Sequence, residues 1–240
     1  MKPNILSVGV VFFGILLWGC DSTTESKSTN GSLSMSAKYT TATLVKIGGI
    51  NANDTIVITR ARFILRDIKF KSPKGDSSNF RTNPIILELN LSGAVQNVGS
   101  ITVPFGSYNK IEYDVKKVEQ SEISSLTEAE RSQFTEFLSG ERYSIIINGI
   151  FTAAGAPPDT FMYRSKVDAK QTVEFSPALE VTEVSPSINA SVVISSAQWF
   201  KNKAGALVNP KVTENEGVID ENLKASIKVY KDNNKDGSKD

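Results

Sequence analysis

The 240-residue sequence contains no histidine and a single cysteine, Cys20. Without histidine there is no imidazole to act as a general base near neutral pH, as a metal ligand, or in a Ser-His-Asp or Cys-His nucleophile system. One cysteine excludes an intrachain disulfide and a thiolate zinc cage. Net charge is also lacking, with 27 Lys and Arg against 26 Asp and Glu. Removal of residues 1–19, which hold Lys2 and no acid, would leave 26 against 26. A chain so balanced creates no long-range field for nucleic acid or anionic lipid, and neither is expected as a partner. Long apolar runs are absent apart from Ile5 to Trp18, itself broken by Ser7, Gly9 and Gly14 and shorter than a membrane span needs.

That run follows a short n-region, Met1 and Lys2, and has the composition of a secretory signal. Cys20 stands where the small-residue cleavage site should end, with Gly19 before it and Leu17 three residues before it. Leu17-Trp18-Gly19-Cys20 resembles the lipobox of bacterial lipoproteins, with Trp18 in place of the usual small residue. The resemblance implies that the Cys20 thiol receives a diacylglycerol, that residues 1–19 are removed, and that the new amino terminus is often acylated. Each buried CH₂ contributes ~0.8 kcal/mol and one chain holds only marginally, so two or three make attachment effectively permanent. The expected location is the cell envelope, with the protein joined to the outer or inner membrane through lipid on Cys20. Asp21 is a retention signal for the inner membrane in some bacteria and not in others, so both membranes stay open.

Residues 20–31 comprise the lipidated cysteine and a polar, Ser/Thr-rich tether without apolar periodicity. Its r.m.s. span is ~18 Å for a flexible chain of that length. From Leu33 onward the dominant pattern is period-two alternation in short β-branched and aromatic runs separated by turn clusters. Thr55 to Lys71 places Val57, Ala61, Phe63 and Leu65 on one face, then Ile68 and Phe70. The change of parity predicts a β-bulge near Arg66-Asp67. Ile111, Tyr113 and Val115 face inward from Tyr108 to Val118, and Ile85, Leu87, Leu89 and Leu91 form another stripe. Further strands are expected at Tyr143 to Thr152, Phe161 to Asp168, Thr172 to Phe175, Leu179 to Val181 and Ile188 to Ile194.

One stretch changes period. Thr127 and Glu130 form a capping box, Phe134, Phe137 and Leu138 recur at helical spacing, and Gly140 ends the pattern, predicting a helix across one end of the sheets. Ile219 to Tyr230 fits both periods and is read as a C-terminal helix. Many short strands without βαβ rhythm predict an all-β fold, an antiparallel β-sandwich over residues 32–215, followed by residues 216–240 as a helix and a polar tail.

The tail carries the best small motif. Asp232, Asn234 and Asp236 occupy positions one, three and five of a calcium loop, Gly237 position six and Asp240 position nine. This oxygen donor set suits Ca²⁺, although the usual twelfth-position acid lies past Asp240; the alternative is a solvated polar tail. Arg60, Arg62 and Arg66 share one strand face, either as a ridge for acidic glycans or as partners of Glu112 and Asp114 on a solvated sheet. Ser107-Tyr108-Asn109-Lys110 spells S-x-x-K, but in a strand Ser107 and Lys110 point to opposite faces, which excludes that nucleophile chemistry. Glu112/Asp114 or Glu180/Glu183 would supply a glycosidase with paired carboxylates. Trp199-Phe200 is read as a core plug rather than an exposed sugar platform.

Thr59-Arg60-Ala61-Arg62, Val103-Pro104-Phe105-Gly106-Ser107-Tyr108, Gln198-Trp199-Phe200 and the closing segment Tyr230 to Gly237 together resemble a group of bacterial lipoproteins with a β-sandwich domain of unknown function. The resemblance implies an immunoglobulin- or prealbumin-like architecture and brings no catalytic residues. The expected function is a lipid-anchored, non-catalytic binding or structural module with a glycan or protein ligand. The alternatives are a glycan-acting enzyme of the envelope and a calcium-stabilised adhesin.

Overall fold

The computed structural model describes residues 29–40, 54–75, 77–81 and 83–240. Cys20, the signal segment 1–19 and the tether through residue 28 lie outside the described residues. The chain forms β1 (Asn30–Thr40), β2 (Thr55–Lys71), β3 (Ser77–Arg81), β4 (Ile85–Glu88), β5 (Gln96–Pro104) and β6 (Gly106–Val115). Two short helices follow, α1 (Glu128–Gln133) and α2 (Thr135–Leu138). After them come β7 (Ile145–Thr152), β8 (Asp159–Ser165), β9 (Ala169–Val181), β10 (Ser187–Ser195), α3 (Glu216–Ala225) and β11 (Ile227–Lys231). Among the described residues no helix is long and apolar enough to cross a membrane.

The strands build an all-β sandwich of two sheets. One has the order β11-β10-β1-β5, and the other β8-β7-β2-β6-β9 with β3 and β4 also on β2. One pair departs from the antiparallel expectation: β1 runs parallel to β10, with Leu33 beside Ile188 and Tyr39 beside Ile194. Parallel pairing needs a long crossover, which here is most of the chain.

At seventeen residues, β2 is too long to keep one partner or one parity. Phe63 is flanked by Ile145 of β7 and Leu87 of β4, Leu65 by Val115 of β6 and Ile85 of β4, and Phe70 by Ile111 of β6 and Ser78 of β3. The expected bulge is present: the register with β6 shifts between Arg66 and Lys69, and Asp67 takes φ +49°. A second shift, between Ile58 and Arg60, was not anticipated. It turns Val57 outward, where it is 40% exposed, and lets Ile56 and Ile58 pack on the core instead. Gly149 lies opposite this second bulge because a Cβ there would sit 2.5 Å from the Val57 carbonyl oxygen and 2.6 Å from the Phe161 ring.

The core between the sheets collects Leu33, Phe63, Leu65, Phe70, Ile111, Ile147 and Trp199. Trp199 is fully buried, its ring 5.8 Å from Phe63 and 6.2 Å from Tyr39, and Phe200 meets Phe161 edge-on at 5.4 Å. The pair is therefore a plug. A second, smaller core lies on the outer face of the larger sheet, where α1 and α2 lay Phe134 and Phe137 over Ile64 and Ile146. The helices cover that face rather than one end of the sheets. Ile64 and Ile146 are apolar on what alternation makes the outer side, and burying side chains of this size contributes ~1.5–3 kcal/mol each. The capping box forms as expected, with Thr127 Oγ1 accepting from the Glu130 amide at 3.3 Å and Glu130 Oε2 from the Thr127 amide at 2.9 Å.

The segment expected as one helix over 219–230 is two elements. Ile219 and Leu223 are buried from α3, and Ile227 and Val229 are buried from β11, which pairs with β10. Residues 216–240 are thus built into the sandwich rather than appended to it.

Asp67 holds a left-handed conformation inside the strand, where a β-branched side chain collides with its own backbone. Asp67→Val should therefore cost about 1–2 kcal/mol in urea unfolding, while Asp67→Gly should cost nothing. Equal stabilities for the two variants would remove the bulge from its assigned role.

Candidate functional site

Three places on this frame concentrate chemistry: the C-terminal turn, the basic ridge on β2 and a cleft between two sheet edges. The turn sits on the outer face of the four-stranded sheet. There Ser34 and Ser36 of β1 and Asn189 and Ser191 of β10 alternate with the inward Leu33, Met35, Ile188 and Ala190, yet all four are buried. They are covered by the segment after β11. Ser34 donates to Asn189 Oδ1 at 2.9 Å, and Asn189 Nδ2 donates to Ser36 Oγ at 2.8 Å and to the Asp232 carbonyl at 3.0 Å. The Asp232 carboxylate, fully buried, accepts from the Ser191 hydroxyl, the Gly237 amide at 2.8 Å and the Asp236 amide at 3.1 Å. Gly237 has φ +74°, and a Cβ there would strike the Lys38 side chain, so glycine is required twice over.

The four residues expected as calcium ligands therefore share one turn, with their oxygens directed at its own amides. Asn234 Oδ1 accepts from the Asp236 amide at 3.0 Å, Asp236 Oδ1 from Ser238 at 2.7 Å, and Asp240 Oδ2 from Asn233 at 2.7 Å. Among the described residues, no three acidic, histidine or cysteine side chains are grouped to hold a metal ion. The segment is not a free solvated tail either, since Asp232 and Gly237 are buried. The Ser238 amide holds the Asp236 carboxyl below its ordinary pKa, and burial raises the Tyr230 phenol, whose hydroxyl donates to the Gly237 carbonyl at 2.6 Å.

On β2 the three arginines are each engaged. Arg60 makes a bidentate pair with Glu88 at 2.7 and 3.0 Å. Arg62 pairs with Glu136 and lies over the Phe137 ring at 5.2 Å. Arg66 pairs with Glu122 and donates to the Lys117 carbonyl at 2.9 Å. The guanidinium hydrogen bonds hold Glu88 and Glu136 below the usual carboxylate range. This is the paired arrangement rather than an open anion ridge, but with different partners. Glu112 is held by Lys71 at 2.8 Å and Lys170 at 3.5 Å, and the arginines take acids from β4, α2 and the turn before α1. Ser107 and Lys110 lie on β6 as expected, but the register shifts between Tyr108 and Lys110, where Tyr108 and Ile111 are both buried, so simple alternation does not separate the two side chains; Glu180 and Glu183 are exposed.

The third place is the open side of the sandwich, where edge strands β9 and β11 approach. A cleft of about 370 Å³ lies between residues 173–177 and 227–231. Its apolar side chains are Val173, Phe175, Ile227 and Val229, and Lys228, Lys231 and Lys239 stand around it. Beside the cleft the pairing of β9 with β6 breaks: Lys110 opposes Glu174 and Tyr108 opposes Leu179, so residues 175–178 face Asn109 alone. What was expected as two strands, 172–175 and 179–181, is one strand interrupted here.

No family model matches this chain. No curated protein matches it either. Among solved structures it is similar to MbnP from Methylosinus trichosporium, at 9% sequence identity and a TM-score of 0.44, covering 72% of this chain and 78% of that one.

The cleft was not visible in the sequence because its walls lie fifty or more residues apart and the helical pattern at 219–230 concealed β11. The buried role of Asp232 was concealed for a related reason. Its donor Ser191 sits 41 positions away on a strand whose outward residues look solvent-facing.

Asp232→Ala should lower unfolding stability by about 2–3 kcal/mol, because the Ser191 hydroxyl and two amides lose their acceptor in a buried site. A change below about 0.5 kcal/mol in urea titration would contradict the buried network, that being the scale of a surface substitution. A lowered folded pKa contributes stability that is present above the unfolded value and lost as pH falls through the folded one. The stability contributed by the Asp236 carboxyl, whose ordinary value is 3.8, should therefore fade as pH falls from that value through its lowered folded one. In a ¹³C NMR titration the Asp236 carboxyl midpoint should lie below 3.8; a midpoint at or above it would contradict the Ser238 contact.

Proposed function

We propose that the protein is a lipid-anchored, non-catalytic binding module of the bacterial cell envelope, attached through diacylglycerol on Cys20. The observation that carries this reading is the placement of the lone thiol. Cys20 closes a lipobox-like segment, and the sandwich begins at Asn30 with only residues 21–29 between them. A tether this short keeps the domain beside the membrane that holds the lipid.

The non-catalytic part is supported by the positions of the acids. A glycosidase needs two carboxyl groups facing one cleft across the substrate. Among the described residues four of the less exposed acids are committed elsewhere, which leaves Asp114 without its candidate partner Glu112. Asp232 is bound to the turn amides and Ser191, Asp220 to Tyr163 and Ser165 at 2.7 Å each, Glu112 to two lysines and Glu122 to Arg66. Glu180 and Glu183, the other pair considered for that chemistry, face solvent.

Metabolic labelling with an alkyne analogue of palmitate in a bacterial host tests the anchor. The wild-type chain should carry the label and partition with membranes, and Cys20→Ser should carry none. Label of equal intensity on Cys20→Ser would overturn the proposal.

A further inference from the structure

We propose that the cleft between β9 and β11 is a binding site for a single-chain amphiphile with a carboxylate head, of the free fatty acid class. This rests on reading the domain as a binding module and names its site and ligand class.

Size is the first support. The volume, about 370 Å³, falls in the range of small-molecule sites, roughly 300–1,000 Å³. Five residues of extended strand span about 15 Å, so this volume spread along residues 173–177 and 227–231 leaves a cross-section of about 25 Å², the width of one hydrocarbon chain. The floor is apolar: Phe175, Ile227 and Val229 belong to the core and leave 6, 8 and 7% of their surface uncovered, while Val173 and Pro177 stand further out on the β9 wall.

Charge is the second support. Lys228 and Lys239 are exposed and Lys231 half-buried, and among the described residues no ion pair engages any of the three. Of the acids at the cleft, Glu174 is paired with Lys110 at 3.1 Å and Asp240 accepts from the Asn233 amide while keeping its charge, so the three lysines outnumber the one carboxylate left without a cation. An apolar slot rimmed by free ammonium groups favours an anionic head on an apolar tail, and neither an uncharged lipid nor a cationic one satisfies both features.

Lysines on an edge strand also discourage strand pairing, which accounts for Lys228 and Lys231 on β11. It does not account for Lys239, which reaches the same cleft from the C-terminal turn, nor for the apolar walls. A peptide strand is the less suitable occupant, because Pro177 removes a donor from the β9 edge and residues 175–178 are out of register with the ladder.

The full lipidated chain in phosphatidylcholine nanodiscs, irradiated with a diazirine-bearing dodecanoate, tests the site. Adducts should map to residues 173–177 and 227–231 and be competed by dodecanoate but not by dodecyltrimethylammonium. Lys228→Glu/Lys239→Glu should lower labelling about tenfold, a modest free-energy change for losing two charge partners. Ser176→Trp, placed at the rim, should lower it independently, and Lys211→Glu, at an exposed lysine paired with Asp159 on the opposite edge strand β8 of the larger sheet, should leave it unchanged. Adducts elsewhere, equal competition by the cationic amphiphile, or full labelling of Lys228→Glu/Lys239→Glu would overturn the assignment. So would competition by an acidic apolar peptide and not by dodecanoate, which would make the cleft a strand acceptor. Failure here with palmitate still present on Cys20 rejects the ligand and leaves the anchored module standing, whereas loss of lipid from Cys20 rejects the module.

Discussion

A strand has a side-chain period of two, and β2 must keep an apolar face toward the core for seventeen residues while changing neighbours along the way. It does so by inserting a residue twice, once near Thr59 and once near Asp67. Each insertion resets which face is inward, so Ile58, Phe63, Leu65, Ile68 and Phe70 all reach the core. The neighbours β3, β4, β6 and β7 take their registers from that strand. Without either bulge, half of its apolar residues would face water and the larger sheet would have no common ladder.

The outer faces of the two sheets are covered by opposite kinds of chemistry. Over the larger sheet, α1 and α2 close a small apolar core on Ile64 and Ile146, with Arg62 held between Glu136 and the Phe137 ring. Over the smaller one, the C-terminal turn closes a polar network in which Asn189 joins Ser36 to the Asp232 carbonyl while Ser191 and two turn amides satisfy its buried carboxylate. Apolar covers slide at modest cost, whereas a buried hydrogen-bonded cover is specific to one position, since displacing it leaves several groups unpaired. The turn is thereby fixed in place beside the cleft, and Lys239 with it.

Much of the frame was legible in the residues. Alternation located most strands, the parity change at Arg66-Asp67 located a bulge, and Thr127 with Glu130 located the helix start. What escaped was non-local. The first bulge left no break in the apolar pattern, because Ile56, Val57 and Ile58 are consecutive and any parity fits them. The α1–α2 cover was placed at an end because nothing local marks Ile64 and Ile146 as facing it. The arginine partners escaped because Glu88, Glu122 and Glu136 are brought to β2 by topology, not by spacing. In the tail, oxygen-bearing residues at alternate positions are the signature of a metal loop and of a turn that caps its own amides, and one sequence cannot separate the two.

The parallel pairing of β1 with β10 has a consequence for the order of assembly. Ser34 hydrogen-bonds Asn189, 155 positions later, so one side of the first strand has no partner until nearly four-fifths of the chain has emerged. Pairings of such sequence separation carry a large closure entropy and form late and slowly. Until then β1 rests on β5 alone, with the serines of its outer face still wet. The sheet nearest the start of the chain is the last to be finished.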